Sequence, residues 1–190
     1  KMSGVISAGA RGGLSDQVLG PILEKAFKKG QYKAVALLIN SPGGSPVQSS
    51  LISSRIKRLA KENELPVLAF VEDVAASGGY WLACAADEIY ADTGSIIGSI
   101  GVISSGFGFQ DLIDKYGVER RVHTAGKSKS MLDPFKKEKP DDIKRLKRIL
   151  SDMHELFIKH VKETRGDKLT QEDDLFTGEG CASAFDHLQV

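Results

Sequence analysis

Ala34-Val-Ala-Leu-Leu-Ile-Asn-Ser-Pro-Gly-Gly44 is the stretch from which the fold is read. Its continuous apolar run suits a strand buried on both faces, and Asn-Ser-Pro-Gly-Gly forces a turn at the carboxyl end of that strand. From Val47 to Lys61 the period becomes helical, with Leu51, Ile52, Ile56 and Leu59 inward and Arg55, Lys57, Arg58 and Lys61 outward, stopping before Pro66. Upstream, Met2 to Ile6 alternates as a short strand, and Leu14 to Lys29 carries Val18, Leu19, Ile22, Leu23, Ala26 and Phe27 at helical spacing. Downstream, Val67 to Val71 reads as a strand that runs into Ala75-Ala-Ser-Gly-Gly-Tyr80, and further strands are expected over Glu88 to Ala91, Ser99 to Ile103 and Arg121 to Thr124. Pro140 to Arg165 closes the pattern as a long amphipathic helix with Ile143, Leu146, Leu150, Met153, Phe157 and Val161 in one stripe. This alternation predicts an α/β fold with a mainly parallel sheet whose ligands lie beyond the carboxyl ends of the strands, where Gly43-Gly44 and Gly78-Gly79 fall.

At 190 residues the chain is expected to form a single domain over 1–190, with 135–166 as a helical extension. Lys and Arg number 26 against 25 Asp and Glu, so no global basic field exists to hold a nucleic-acid backbone. With 41% apolar residues the composition is that of a globular chain, which excludes disordered and fibrous classes. Cys84 and Cys181 belong to no ligand spacing, so neither a zinc site nor a disulfide scaffold is expected. Lys1-Met2-Ser3 opens no signal-peptide pattern, and the uncharged runs Ala34 to Ser54 and Thr93 to Gln110 are too interrupted to span a bilayer.

Several motif matches fail on their mechanics. Gly126-Lys127-Ser128 resembles the end of a phosphate-binding loop, but the glycine needed five positions earlier is Arg121. His154 and His160 are roughly 240° apart around a helix and cannot easily share a metal. Ser54-Arg-Ile-Lys57 matches SxxK in a helix that is otherwise ordinary, and the basic Lys136 to Arg148 stretch reads as a solvated helix start. Ala75-Ala-Ser-Gly-Gly-Tyr80 differs in kind, because a serine at a strand-to-helix turn between small residues has an exposed hydroxyl and free neighbouring amides. The Gly78 amide would face the same space as those of Ser41-Pro-Gly-Gly44 if the two strands are neighbours, and converging N–H donors stabilise the oxyanion of acyl transfer. A close-packing site between helix and sheet fits the same residues.

A serine nucleophile needs a base. Of the histidines at 123, 154, 160 and 187, His123 alone is plausible, and the segment Thr124-Ala-Gly-Lys-Ser-Lys-Ser130 offers a lysine amine instead. A lysine serves only when neutral, which requires its pKa of about 10.4 to fall by about 3 units through desolvation.

Asn40-Ser-Pro-Gly-Gly44, Ala75-Ala-Ser-Gly-Gly-Tyr80, Gly98-Ser-Ile-Gly-Val102 and Thr124-Ala-Gly-Lys-Ser-Lys-Ser130, in this order, resemble peptidase family S49, the signal peptide peptidase A and SohB group of bacterial Ser-Lys proteases. The resemblance implies a crotonase- and ClpP-like superhelix of repeated β-β-α units with the long amphipathic helix following. It implies Ser77 as nucleophile and Lys129 over Lys127 as base, with Ser99 orienting the lysine amine and Gly44 and Gly78 supplying the oxyanion donors. No metal or cofactor is implied. The implied substrates are cleaved signal peptides or other membrane-derived peptides, hydrolysed by a homo-oligomer whose dyad is completed between adjacent subunits in association with the bacterial inner membrane. Family sequences usually follow Phe-Thr-Gly with a Gly-Arg-Ala helix and a Gly-Leu-Val-Asp strand, whereas Thr177-Gly-Glu-Gly-Cys-Ala-Ser-Ala-Phe-Asp-His187 stands here, so the tail 178–190 is atypical.

Two rivals use the same fold. A ClpP-like Ser-His arrangement would take His123 as base, although ClpP-type spacing points to position 102, which is Val. A crotonase-type acyl-CoA enzyme would need carboxylates beside the glycine turns, and no Glu or Asp lies immediately beside either.

Overall fold

Strand β2 (Val35–Ser41) sets the layering in the computed structural model of the chain. Val35, Leu37, Ile39 and Ser41 are buried, while Ala36 and Leu38 are exposed. The apolar run is thus covered on one face, not both. Leu38 pairs in register with Phe70 and Phe70 with Tyr90, so three partly exposed apolar side chains form a row, with the Phe70 and Tyr90 rings stacked at 5.2 Å. The described residues are 1–8, 12–28, 32–126, 129–169, 176–177 and 181–183, with the backbone alone described for 167 and 181–183.

The elements alternate as expected as far as β4: β1 (Met2–Ser3), α1 (Asp16–Lys28), β2, α2 (Pro46–Asn63), β3 (Val67–Ala76), α3 (Gly78–Ala83) and β4 (Glu88–Ala91), followed by β5 (Ile96–Gly98), α4 (Gln110–Lys115), α5 (Pro140–Arg165) and β6 (Cys181–Ser183). β1, β2, β3 and β5 form a parallel path, β4 pairs in parallel with the first half of β3, and β6 adds an antiparallel strand to β5. The departure of the tail from the family pattern therefore does not prevent residues 181–183 from joining the sheet; 178–180 and 184–190 lie outside the described residues.

Local chemistry explains the boundaries. Ser45 caps α2, its hydroxyl accepting from the Gln48 N–H, and Pro46 takes the first helical position, where a missing N–H costs nothing. Ile52, Ile56 and Leu59 of α2 join Leu19, Leu23 and Phe27 of α1 and the inward side chains of β2 and β3 in one core. Two expectations for α2 change. Leu51 is exposed, and Arg55 lies against α1, where its guanidinium makes two 2.7 Å hydrogen bonds to Asp16 and one of 2.9 Å to Glu24. Charge-paired donors suit that half-buried helix contact better than solvent does.

Two expected strands are corrected. The strand placed over Ser99 to Ile103 lies at Ile96–Gly98, because Gly98 (φ 100°) and Ser99 (φ 55°) leave the extended region in succession and cannot continue a pleat. Arg121 to Thr124 forms no strand and has no ladder partner among the described residues. The short helix α4, only six residues long and beginning where the uncharged, glycine-interrupted run 93–110 ends, went unread.

The chain divides into two compact units, Lys1–Gly101 with His154–Val190, and Val102–Met153. The first holds the sheet and α1 to α3, and takes Phe157 and Val161 of α5 into its core. In the second, Phe109 lies between Phe107 and Phe135 at centroid distances of 6.1 and 5.6 Å, and Arg120 covers the Phe135 ring while pairing with Asp133.

The Arg55 guanidinium holds the Asp16 carboxyl below its ordinary value, so this group contributes stability above the usual carboxylate range that is lost as pH falls through its lowered value. Asp16→Asn is expected to cost about 1–3 kcal/mol at neutral pH. In urea titrations the gap between variant and parent should close as pH is lowered through the carboxylate range.

Candidate active site

Ser77 stands between the end of β3 and the start of α3 with φ 51° and ψ −121°, a conformation rarely adopted by residues with a side chain. Its N–H donates to Gly98 O at 2.8 Å, its C=O accepts from the Trp81 N–H at 3.0 Å, and its hydroxyl caps no helix N–H. Both main-chain groups are therefore committed while the half-buried side chain stays available, the arrangement of a strand-to-helix nucleophile turn.

Two N–H groups nearby have their directions set by peptide geometry. Gly43 C=O accepts from the Ile6 N–H at 2.8 Å, and in a trans peptide the Gly44 N–H points the opposite way, off the Ile6 strand. Ser77 C=O points along α3 to Trp81, so the Gly78 N–H points back out of the helix start. Between them sits Gly43. A Cβ built on it would lie 2.7 Å from Gly78 N and 2.8 Å from Ser77 Cβ, and its φ of 98° also disfavours a side chain. Gly44 lies as tightly on Ile6, whose carbonyl oxygen would be 2.0 Å from an added Cβ. The two glycine turns thus meet at Ser77, and two N–H donors beside one hydroxyl can bind the oxyanion of an acyl-transfer intermediate.

Ala76 of β3 pairs with Gly98 of β5, and Ser77 and Ser99 follow these two residues directly. Parallel register brings both serines to one end of the sheet, each at positive φ. The remaining candidates lie in the second unit. Lys129 is exposed there, its N–H donating to Gly126 O at 3.4 Å, and His123 is exposed as well. Lys127 and His187 lie outside the described residues. His154 and His160 are occupied by main-chain carbonyls, and the described residues contain no cluster able to hold a metal. Ser54 and Lys57 of the SxxK match sit on α2, with Ser54 exposed and the Lys57 amine pushed below its ordinary value by burial.

Gly43, the residue of closest approach, was not singled out by sequence reasoning, nor was the buried pair Ser41 and Ser49. Ser41 Oγ accepts from the Gly43 N–H at 3.2 Å, and Ser49 Oγ would be 2.4 Å from a Cβ on Gly78. The signal was present in Ser41-Pro-Gly-Gly44, where two glycines in succession imply more than a turn. The far side of α3 is desolvated: burial raises the Tyr80 hydroxyl, pushes the Cys84 thiol up to about 11 and lowers His160 to about 4, with Lys57 adding to the last shift.

Comparison with known proteins adds the following. The family profile described as Peptidase family S49 matches residues 59–182. A protein of Brucella melitensis biotype 1 named Na(+)/H(+) antiporter NhaA is 59% identical over 157 residues, which are 83% of this chain and 21% of that protein. The chloroplastic serine protease SPPA of Arabidopsis thaliana is 32% identical over 158 residues, 83% of this chain and 23% of that protein. The chain therefore spans about a fifth of the length of these curated relatives. Among solved structures, a 1510-N membrane-bound stomatin-specific protease matches with a TM-score of 0.56 at 16% identity, covering 97% of this chain and 72% of that one, a likeness of fold.

Three substitutions and a titration check this geometry. Gly79→Ala would put a Cβ 2.3 Å from the Ser41 carbonyl oxygen and is expected to cost about 1–3 kcal/mol by overpacking, whereas Gly108→Ala, with nothing within 4 Å, should be neutral in thermal melts. Because His160 is lowered, the unfolded chain binds its proton first. Stability should fall as pH drops from about 6.5 towards about 4, and His160→Gln should flatten that part of the curve.

Proposed function

As the chain belongs to peptidase family S49, we propose that it is a serine peptidase whose nucleophile is Ser77 and whose base is Lys129. The observation that carries this is the strained Ser77 turn, with an uncommitted hydroxyl beside two outward N–H groups.

Ser77 Oγ attacks the carbonyl carbon of a peptide bond while its proton passes to the Lys129 amine. The carbonyl π bond breaks, and the negative oxygen is received by the N–H groups of Gly44 and Gly78. When the carbonyl re-forms, the C–N bond breaks and Lys129 returns its proton to the leaving amine, which leaves an acyl ester on Ser77. Water then adds with loss of a proton to Lys129, and the acid departs as the proton returns to Ser77 Oγ. Ser99 orients the amine of Lys129 throughout, a role supported by its place beside Ser77 in register.

A lysine accepts a proton only as the neutral amine, a form that burial favours. Lys129 is exposed in the chain, so this reading joins catalysis to assembly: a second copy completes the dyad and supplies the desolvation. Substrates are apolar peptides, cleaved signal peptides or other membrane-derived segments among them. No described helix is long and apolar enough to cross a membrane.

Intact-mass measurement after reaction with a fluorophosphonate should show one adduct on the parent protein and none on Ser77→Ala. Lys129→Ala should lower peptide hydrolysis by about 10²–10⁴-fold, while Lys127→Ala and His123→Ala retain it. Mixing inactive Ser77→Ala with inactive Lys129→Ala should restore activity through mixed pairs. A mixture as silent as its parts would refute the shared dyad, and adduct formation on Ser77→Ala would refute the nucleophile.

A further inference from the structure

Helix α5 carries two histidines that the proposed reaction does not use, and both reach main-chain carbonyls next to the serine turns. His154 Nε2 bonds Ile100 O at 2.9 Å, and His160 Nε2 bonds Trp81 O at 3.1 Å. A carbonyl oxygen only accepts, so each ring is held with the proton on Nε2.

Local structure leaves both of these carbonyls without a main-chain donor among the described residues. At the end of α3, Tyr80 O accepts from the Cys84 N–H, Leu82 O from Ala85 and Ala83 O from Ala86, whereas Trp81 O is skipped and receives His160. Beyond β5, Ser99 O accepts from the Gly101 N–H and the neighbouring Ile100 O receives His154. Ile100 is fully buried, and the His160 ring lies flat on the Trp81 indole at 4.7 Å, with Phe157 on the same indole at 4.8 Å.

The clamped residues adjoin the strained ones. Ile100 follows Ser99 at φ 55°, and Trp81 donates its N–H to the carbonyl of Ser77 at φ 51°. Such conformations persist only where the surroundings over-determine them, and a six-residue helix such as α3 has too few internal bonds to do so alone.

We propose that His154 and His160 are positioning residues, a two-point clamp through which α5 fixes the turns of Ser99 and Ser77. The clamp rests on the reading of Ser77 as nucleophile and Ser99 as its orienting neighbour. Releasing either turn displaces a hydroxyl that must sit within a fraction of an ångström of its reacting position, so the rate of acylation falls while peptide affinity stays.

The test compares side chains of equal chemistry and different reach. In His154→Gln and His160→Gln an amide N–H can still meet the carbonyl, and in His154→Asn and His160→Asn it falls short. On the full chain, the measurements are the rate of fluorophosphonate acylation, kcat and KM on an apolar peptide, and the melting temperature. The Gln variants should stay near the parent rate, and the Asn variants should lose about 10–100-fold in acylation and kcat at unchanged KM. Equal rates in the Gln and Asn members of both pairs would overturn the clamp, as would losses confined to KM. Ser77→Ala separates the two levels. If it remains acylated, the nucleophile assignment has failed; if it is silent while Asn equals Gln, only the clamp has failed.

Discussion

Backbone packed directly on backbone, Gly43 against the Ser77–Gly78 peptide, is the contact on which the site depends. A methyl group at 43 would fall 2.7 Å from Gly78 N and 2.8 Å from Ala76 O, so no other residue lets the β2 turn come so near the start of α3. That approach places the Gly44 and Gly78 N–H groups beside one serine. It is matched on its outer side by Gly44 on Ile6 and on its inner side by Gly79 on Ser41, so three of the four glycines in the two turns are seated on main-chain atoms. Stability and chemistry draw on the same contacts here, because the packing that excludes side chains also leaves two donors without a partner among the described residues.

The layer beneath α3 completes the arrangement. Burial strips Tyr80 and Cys84 of easy ionisation and keeps His160 neutral over the ordinary range, so these three side chains stand beneath α3 as uncharged groups. Helix α5 contributes a series of donors to carbonyls on this underside, His154 to Ile100, His160 to Trp81 and Arg165 to Ala86, each meeting an acceptor that the local ladder does not use.

Elements with strong periodicity were legible in the sequence. Helix α5 was read at its observed bounds, Pro140 to Arg165, because its apolar stripe repeats over many turns, and α1 and α2 fell within two residues at each end. What was misread lay where period and burial part company. Ala34 to Ile39 is apolar throughout, yet only alternate residues are covered, and a continuous run cannot say which face a neighbouring layer will reach. The Ser99 to Ile103 stretch looks extended by composition, but two successive residues at positive φ end β5 at Gly98.

Sequence alone determined the order of strands and helices from β1 to β4, the family resemblance carried by four motifs, and Ser77 as the residue at a strand-to-helix turn, since propensity, period and motif spacing are all local. Tertiary structure decided the rest. The Ala76–Gly98 register sets Ser99 beside Ser77, the Ile6 and Trp81 hydrogen bonds turn the Gly44 and Gly78 N–H groups outward, and Trp81 O and Ile100 O find their donors on a helix more than fifty residues away. These depend on which strand lies next to which and on the direction of single peptide planes, quantities that exist only once distant segments have packed together.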